Sequence, residues 1–280
     1  MARAHPHGRC DVALLPTGLQ CKPRGDVLAW YYAHEQRCRG PADLVHDKMQ
    51  FGVPSDMQQV AENAQVPAHR IYWGFDSFRG LPTEANNESY RHPLWRPGTY
   101  SDIHEMSRDF RTVSRPRDGI WRYERKRDDA KPLSVEVVVQ RRAHALQGVR
   151  NRIKLIPGFY NVSLTPELAH AAQPVAFADF NCDLTVSTVQ AQRWLFSHRL
   201  LQPGSLISYD DWFHTPFGAG QSAAHLEVAN EYLVEYEHLG RQLRQGPGAA
   251  CKLLFFRIKS VGRRADPAIT PWINHTRYWN

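Results

Sequence analysis

The 280-residue chain has no apolar stretch long enough to span a bilayer, and none behind its N-terminus that reads as a signal sequence. No internal repeat is visible. The five cysteines, Cys10, Cys21, Cys38, Cys182 and Cys251, are odd in number, scattered and never spaced C-x-x-C. That argues against a disulfide framework and a zinc site, so a reducing, cytoplasmic compartment is the default. What the chain has in excess is positive charge, formally +7 at pH 7. The excess gathers between Arg108 and Arg127, where eight basic residues meet three acidic ones. Phe110, Trp121 and Tyr123 interleave with them, which brings nucleic-acid or phosphate binding into view. The plainer reading of such a run is a solvated, exposed segment, and nucleic acid is not the expected partner.

The periodicity predicts strands alternating with helices. Met1 to Gly25 reads as an extended arm and Asp26 to Arg37 as a helix capped by Asp26. Leu44–Val53 is the first strand, Ser55 caps a helix through Ala64, and His69–Phe75 is the second strand. Gly80 to Pro132 is irregular, polar and proline-dotted, too long for an ordinary connection. Leu133–Leu146 comes next as a helix, then strands at Arg152–Ile156, Val175–Phe180 and Leu206–Tyr209. Ala223–Leu239 reads as a helix and Lys252–Ile258 as a buried strand. This order implies an α/β fold with a doubly wound, mostly parallel sheet. The domain is expected over 26–262, with a basic insertion at 83–131 that reads as a lid or substrate-selecting loop, an arm at 1–25 and a tail at 263–280.

The chemistry concentrates between Pro174 and Phe213. The run Val175–Phe180 is followed by Asn181 and Asp183, and a helix with Val186, Val189, Trp194, Leu195 and Phe196 comes next. Pro203-Gly204 ends that helix, and a second apolar run leads to Asp210-Asp211. Two strands joined by a helix are parallel neighbours, so both groups of oxygen side chains share the carboxyl edge where such sheets bind ligands. Convergent oxygens suit a hard divalent cation such as magnesium. The structural alternative is that Asp183 caps the helix at Thr185 and Asp210-Asp211 caps the segment after the strand. Asp76, ending the second strand, either accepts hydrogen bonds from ribose hydroxyls or caps the turn into Ser77. His214 and His104 are weaker candidates for a base.

These residues also carry a family resemblance. Asn181-Cys-Asp183-Leu-Thr-Val-Ser187-Thr188, then Pro203-Gly204, then Asp210-Asp211-Trp212, resembles the D-x-D-L-Y-x-S-T, P-G-G and D-D-Y pattern of the macrocin O-methyltransferase family. Gly74-Phe75-Asp76-Ser77-Phe78-Arg-Gly80-Leu81-Pro82 is similar to the family's F-D-S-F-x-G-L-P, and Pro157-Gly158-Phe159 to its G-x-F element. The resemblance implies a class I methyltransferase fold, Rossmann-like, with a long insertion after the second strand. It implies S-adenosylmethionine bound by Gly52, Asp76, Ser77 and Gly158, and Mg2+ held by Asn181, Asp210 and Asp211. Asp183 would be the base that takes a proton from the hydroxyl of a small-molecule acceptor, such as a sugar or glycoside. Four departures stand out: Gln50 replaces an acid, the second glycine of the family's first-strand motif is missing, Asn181 replaces an aspartate and Thr185 replaces a tyrosine. They keep open a catalytically weakened, methyltransferase-like binding protein, and the basic insertion keeps open an RNA ribose substrate. No membrane partner is implied, and a homo-oligomer is allowed.

Overall fold

The computed structural model describes residues 47–52, 71–88, 95–105, 110–112, 123–125, 132–145, 153–212, 215, 218–241 and 254–262. The arm, the tail and the helices expected at Asp26–Arg37 and Ser55–Ala64 lie outside them. Five parallel strands lead the sheet: β1 (Asp47–Phe51), β2 (Tyr72–Asp76), β5 (Ile153–Pro157), β6 (Val175–Phe180) and β7 (Leu206–Tyr209). Two more, β8 (Val234–Arg241) and β9 (Leu254–Val261), complete the order β5-β2-β1-β6-β7-β9-β8, with β9 antiparallel to both neighbours. Every residue of β6 and β7 is buried, because central parallel strands are covered on both faces. That is why they read in the sequence as unbroken apolar runs.

Helix α2 (Val135–Ala145) leads into β5 on one side of β1, and α5 (Thr185–Ser197) crosses from β6 to β7 on the other. Right-handed crossovers running in opposite directions place the two helices on opposite faces. The result is the Rossmann-like, doubly wound, mostly parallel α/β fold that the sequence implied. The direction of winding reverses between β1 and β6, so the crevice at that switch point is where such sheets take ligands.

Directly beneath the crevice the sheet is levelled by aromatic rings. Phe75, Phe51, Phe180 and Tyr209 stand in register on β2, β1, β6 and β7. Their rings stack at centroid distances of 4.9, 5.2 and 5.4 Å. Trp194 of α5 packs edge-on against Phe75 at 5.7 Å. Buried aromatic pairs of this geometry contribute about 0.5–1.5 kcal/mol each beyond area burial. The residues that come directly after the rings are Asp76, Gly52, Asn181 and Asp210, so the floor fixes the height of each.

Two sequence expectations need correction. The helix expected over Ala223–Leu239 stops early: α6 spans Gly220–Tyr232, Leu233 turns left-handed (φ 49°), and β8 begins. The segment EYLVEYEHL carries helical spacing, but burial of Val234 and Tyr236 against β9 decides for a strand. The insertion is likewise not irregular throughout. It holds a 3-10 turn at Thr83–Asn87, helix α1 (Asp102–Glu105) and a hairpin of β3 (Phe110–Thr112) with β4 (Tyr123–Arg125). A two-pronged ion pair, Arg142 Nε to Asp102 Oδ2 at 3.0 Å and Nη2 to Oδ1 at 2.9 Å, ties α1 to α2. Two short helices, α3 (Tyr160–Ser163) and α4 (Pro166–Ala171), had no strong periodic signal. Among the described residues no helix is long and apolar enough to cross a membrane.

Candidate functional site

Backbone hydrogen bonds carry the ladder one step past the strands. Gly52 N–H donates to the Phe75 carbonyl (2.8 Å), Asn181 N–H to Phe51 (2.8 Å), Asp210 N–H to Phe180 (3.1 Å) and Gly158 N–H to Asp76 (2.9 Å). Gly52, Asp76, Gly158, Asn181 and Asp210 therefore sit side by side on the carboxyl edge. Five further features close a cavity of about 410 Å³ over the first four of these: Ser77 and Arg79, the strap 80–84, residues 97, 98 and 100, Phe159–Asn161, and the stretch Asn181–Gln190 through Asp183, Val186 and Ser187. The volume is that of a site for a small cofactor or ligand.

The predicted cofactor residues Gly52, Asp76, Ser77 and Gly158 all line this cavity, as do Asn181 and Asp183. Gly52 has φ +83°, and a Cβ there would lie 1.8 Å from the Asn181 carbonyl oxygen. Its missing side chain thus serves the close approach of two strand ends, and with it the alignment of the wall. Asp76 does perform the turn role: its Oδ1 accepts from Phe78 N–H at 2.6 Å, and Phe78 is left-handed (φ 55°). Ser77 Oγ donates to the Gly80 carbonyl and accepts from Arg79 N–H. The tight turn keeps Asp76 in the cavity lining, and the residue is partly exposed. Turn capping and ligand contact are compatible roles for its two oxygens.

Asp183 is not the helix cap. The cap position of α5 is Leu184, and it makes no side-chain capping bond. The N-terminus is instead held by Glu88, 97 residues away. Its carboxylate accepts from Thr185 N–H (3.0 Å), Thr185 Oγ (2.8 Å) and Val186 N–H (3.4 Å). Asp183 stands in the left-handed region (φ 56°) and its Oδ1 accepts from the indole N–H of Trp95 at 2.9 Å. Neither partner was legible in the sequence, since both come from the insertion. Cys182 between the two site residues is buried beside Thr188 Oγ (3.4 Å), and burial pushes its thiol well above the ordinary thiol value. Tyr160, which also lines the cavity, is pushed up by burial as well.

The three proposed metal ligands are only partly gathered. Phe180 pairs with Tyr209, so Asn181 and Asp210 stand on adjacent strand ends, and their oxygens are the right chemistry for a hard cation. Asp210 and Asp211 do not line the cavity; Asp211 is buried, with its backbone N–H donating to Gln221 Oε1 at 2.8 Å. Among the described residues no group of three or more His, Cys, Asp or Glu forms a metal centre. His214 and the side chain of His104 lie outside the described residues, as does most of Arg108–Arg127.

No protein-family model matches the chain, and no curated protein matches it. Among solved structures the chain is similar to the O-methyltransferase NovP, at 15% identity over 78% of this chain and 74% of that one, with a TM-score of 0.46. It is similar to the calicheamicin methyltransferase CalS11 at 17% identity, 86% and 89% coverage and a TM-score of 0.47. It is also similar to an O-methyltransferase from Bacillus cereus in complex with S-adenosylhomocysteine, at 9% identity, 85% and 80% coverage and a TM-score of 0.43.

Proposed function

We propose that the chain is an S-adenosylmethionine-dependent O-methyltransferase acting on a hydroxyl of a small molecule. The observation that carries this reading is one cavity at the switch point, lined by Gly52, Asp76 and Gly158 together with Asp183. Asp76 accepts hydrogen bonds from the ribose hydroxyls of the cofactor, as an acid at that strand end does in nucleotide-binding sheets. Asp183 receives the proton of the acceptor hydroxyl as that oxygen attacks the sulfonium methyl. The strap 80–84 and residues 97, 98 and 100 cover both reactants and hold them in line, which supplies proximity. Magnesium, held by Asn181, Asp210 and Asp211, would when bound supply Lewis acidity toward the acceptor hydroxyl and lower its pKa.

The acceptor class within this reading is a sugar or glycoside, supported by the motifs shared with the macrocin family. A second reading, a weakened relative that binds without transferring, is favoured by Gln50 and Asn181, which each remove one charge from the family pattern. Calorimetry with S-adenosylmethionine, with and without magnesium, separates them from a chain that binds no cofactor. Turnover of a hydroxylated acceptor then separates enzyme from binding protein. RNA as substrate would appear as salt-dependent retardation of an RNA oligonucleotide.

A further inference from the structure

We infer that Trp95 is the positioning residue of Asp183, holding its carboxylate in one orientation at the cavity wall. The inference rests on the reading of Asp183 as the proton acceptor, and it makes the insertion part of the reaction's geometry. Trp95 is fully buried, and an indole N–H can only donate, so its burial requires an acceptor. That acceptor is the carboxylate oxygen Asp183 Oδ1, 88 residues away in sequence.

The indole is itself held on several sides. It packs with Ala85 and Leu184, with Leu81 and Val186 against them. Gly220 at the start of α6 lies so close that a Cβ there would be 3.2 Å from the ring. Thr185 bonds both Glu88 and the Gly220 carbonyl, so the insertion, α5 and α6 interlock around the indole. Asp183 meanwhile stands in a backbone region that side-chain-bearing residues avoid. Such a conformation persists where surrounding contacts over-determine it, and it is common where a side chain must be aimed. Trp95 does not line the cavity, whereas Asp183 does. The indole therefore acts through the carboxylate and not on the ligand.

Nuclear magnetic resonance on the full chain tests this. The Trp95 indole N–H signal, assigned by its loss in Trp95→Phe, should move in Asp183→Ala and exchange with solvent at least ~10-fold faster there. In wild type the two Asp183 β-protons should show one large and one small coupling, the pattern of a single rotamer. In Trp95→Phe the two couplings should converge to averaged values. If Trp95→Phe does not fold, the wild-type couplings and the Asp183→Ala spectrum, with the indole signal assigned by sequential connectivity, still decide. An indole signal indifferent to Asp183→Ala, or an Asp183 rotamer unchanged by Trp95→Phe, overturns the inference. Calorimetry with S-adenosylhomocysteine on the same samples keeps the two readings apart. Wild type and Trp95→Phe should bind it within about threefold of each other, because the ring is outside the cavity. Absence of binding by wild type would sink the cofactor reading, while the resonance data would still judge the Trp95–Asp183 pair.

Discussion

Replacing Glu88 should destabilise a helix that begins 97 residues later. Glu88 is 8% exposed, and its carboxylate takes hydrogen bonds from Thr185 N–H, Thr185 Oγ and, at 3.4 Å, Val186 N–H. Loss of a helix cap costs about 0.5–2 kcal/mol, and loss of a negative charge at a helix N-terminus about 0.3–1 kcal/mol. Thr185 Oγ keeps the Gly220 carbonyl as a partner, but the backbone amides of the first turn lose theirs. Glu88→Ala should therefore cost about 1–3 kcal/mol, and Glu88→Gln, which keeps one acceptor oxygen, about 1 kcal/mol or less. Arg193→Ala is the control. Arg193 pairs with Glu227 (2.8 Å) and Glu231 (2.6 Å) across α5 and α6, but it is 47% exposed, so at most about 1 kcal/mol is at stake. Urea denaturation gives the comparison, read as midpoint shifts at constant slope. If Glu88→Ala cost no more than Arg193→Ala, the insertion would not be capping α5.

Three further outcomes rest on the same geometry. Gly52→Ala should destabilise the chain by at least about 1–3 kcal/mol in the same assay, because its φ of +83° and the Asn181 carbonyl leave no room for a Cβ. Burial raises the titration of Cys182, Tyr160, Tyr209 and Tyr236 in the folded chain. The folded state thus holds these protons more tightly than the unfolded one, so their contribution is complete below about pH 8.5 and declines as pH rises through the range where free thiols and phenols ionise; a melting temperature that climbs from about pH 9 to 11 would contradict this. If Asn181, Asp210 and Asp211 share magnesium, chelation should abolish methyl transfer and Asn181→Asp should keep or tighten metal affinity by calorimetry, whereas turnover indifferent to chelator refutes the metal's part.

The parts of the fold legible in the sequence are those whose environment is uniform. Val175–Phe180 and Leu206–Tyr209 are buried on both faces, and the structure returns them with the bounds read from their apolar runs. Asp76 and Asn181 were placed at the carboxyl edge by the strand ends that they close, and strand ends in a parallel sheet share an edge, whereas Gly52 and Gly158 came from the family resemblance. The strand β8 was not, since a single left-handed residue, Leu233, separates it from a helix whose spacing it continues. Glu88 and Trp95 were invisible for another reason. Their partners lie 97 and 88 residues away, and no local periodicity encodes a contact at that separation. The capping role weighed for Asp183 failed on the same ground, because a distant carboxylate took the helix N-terminus first.

Isothermal calorimetry of S-adenosylmethionine against wild type and Asp76→Asn tests the central claim most directly. The asparagine retains the oxygen that accepts from Phe78 N–H, so the turn survives while the charge offered to the ribose is lost. Saturable binding by wild type, weakened in the folded variant by about 1–3 kcal/mol, is the expected result. Wild type that binds no S-adenosylmethionine, or a variant that binds it equally well, would contradict the account.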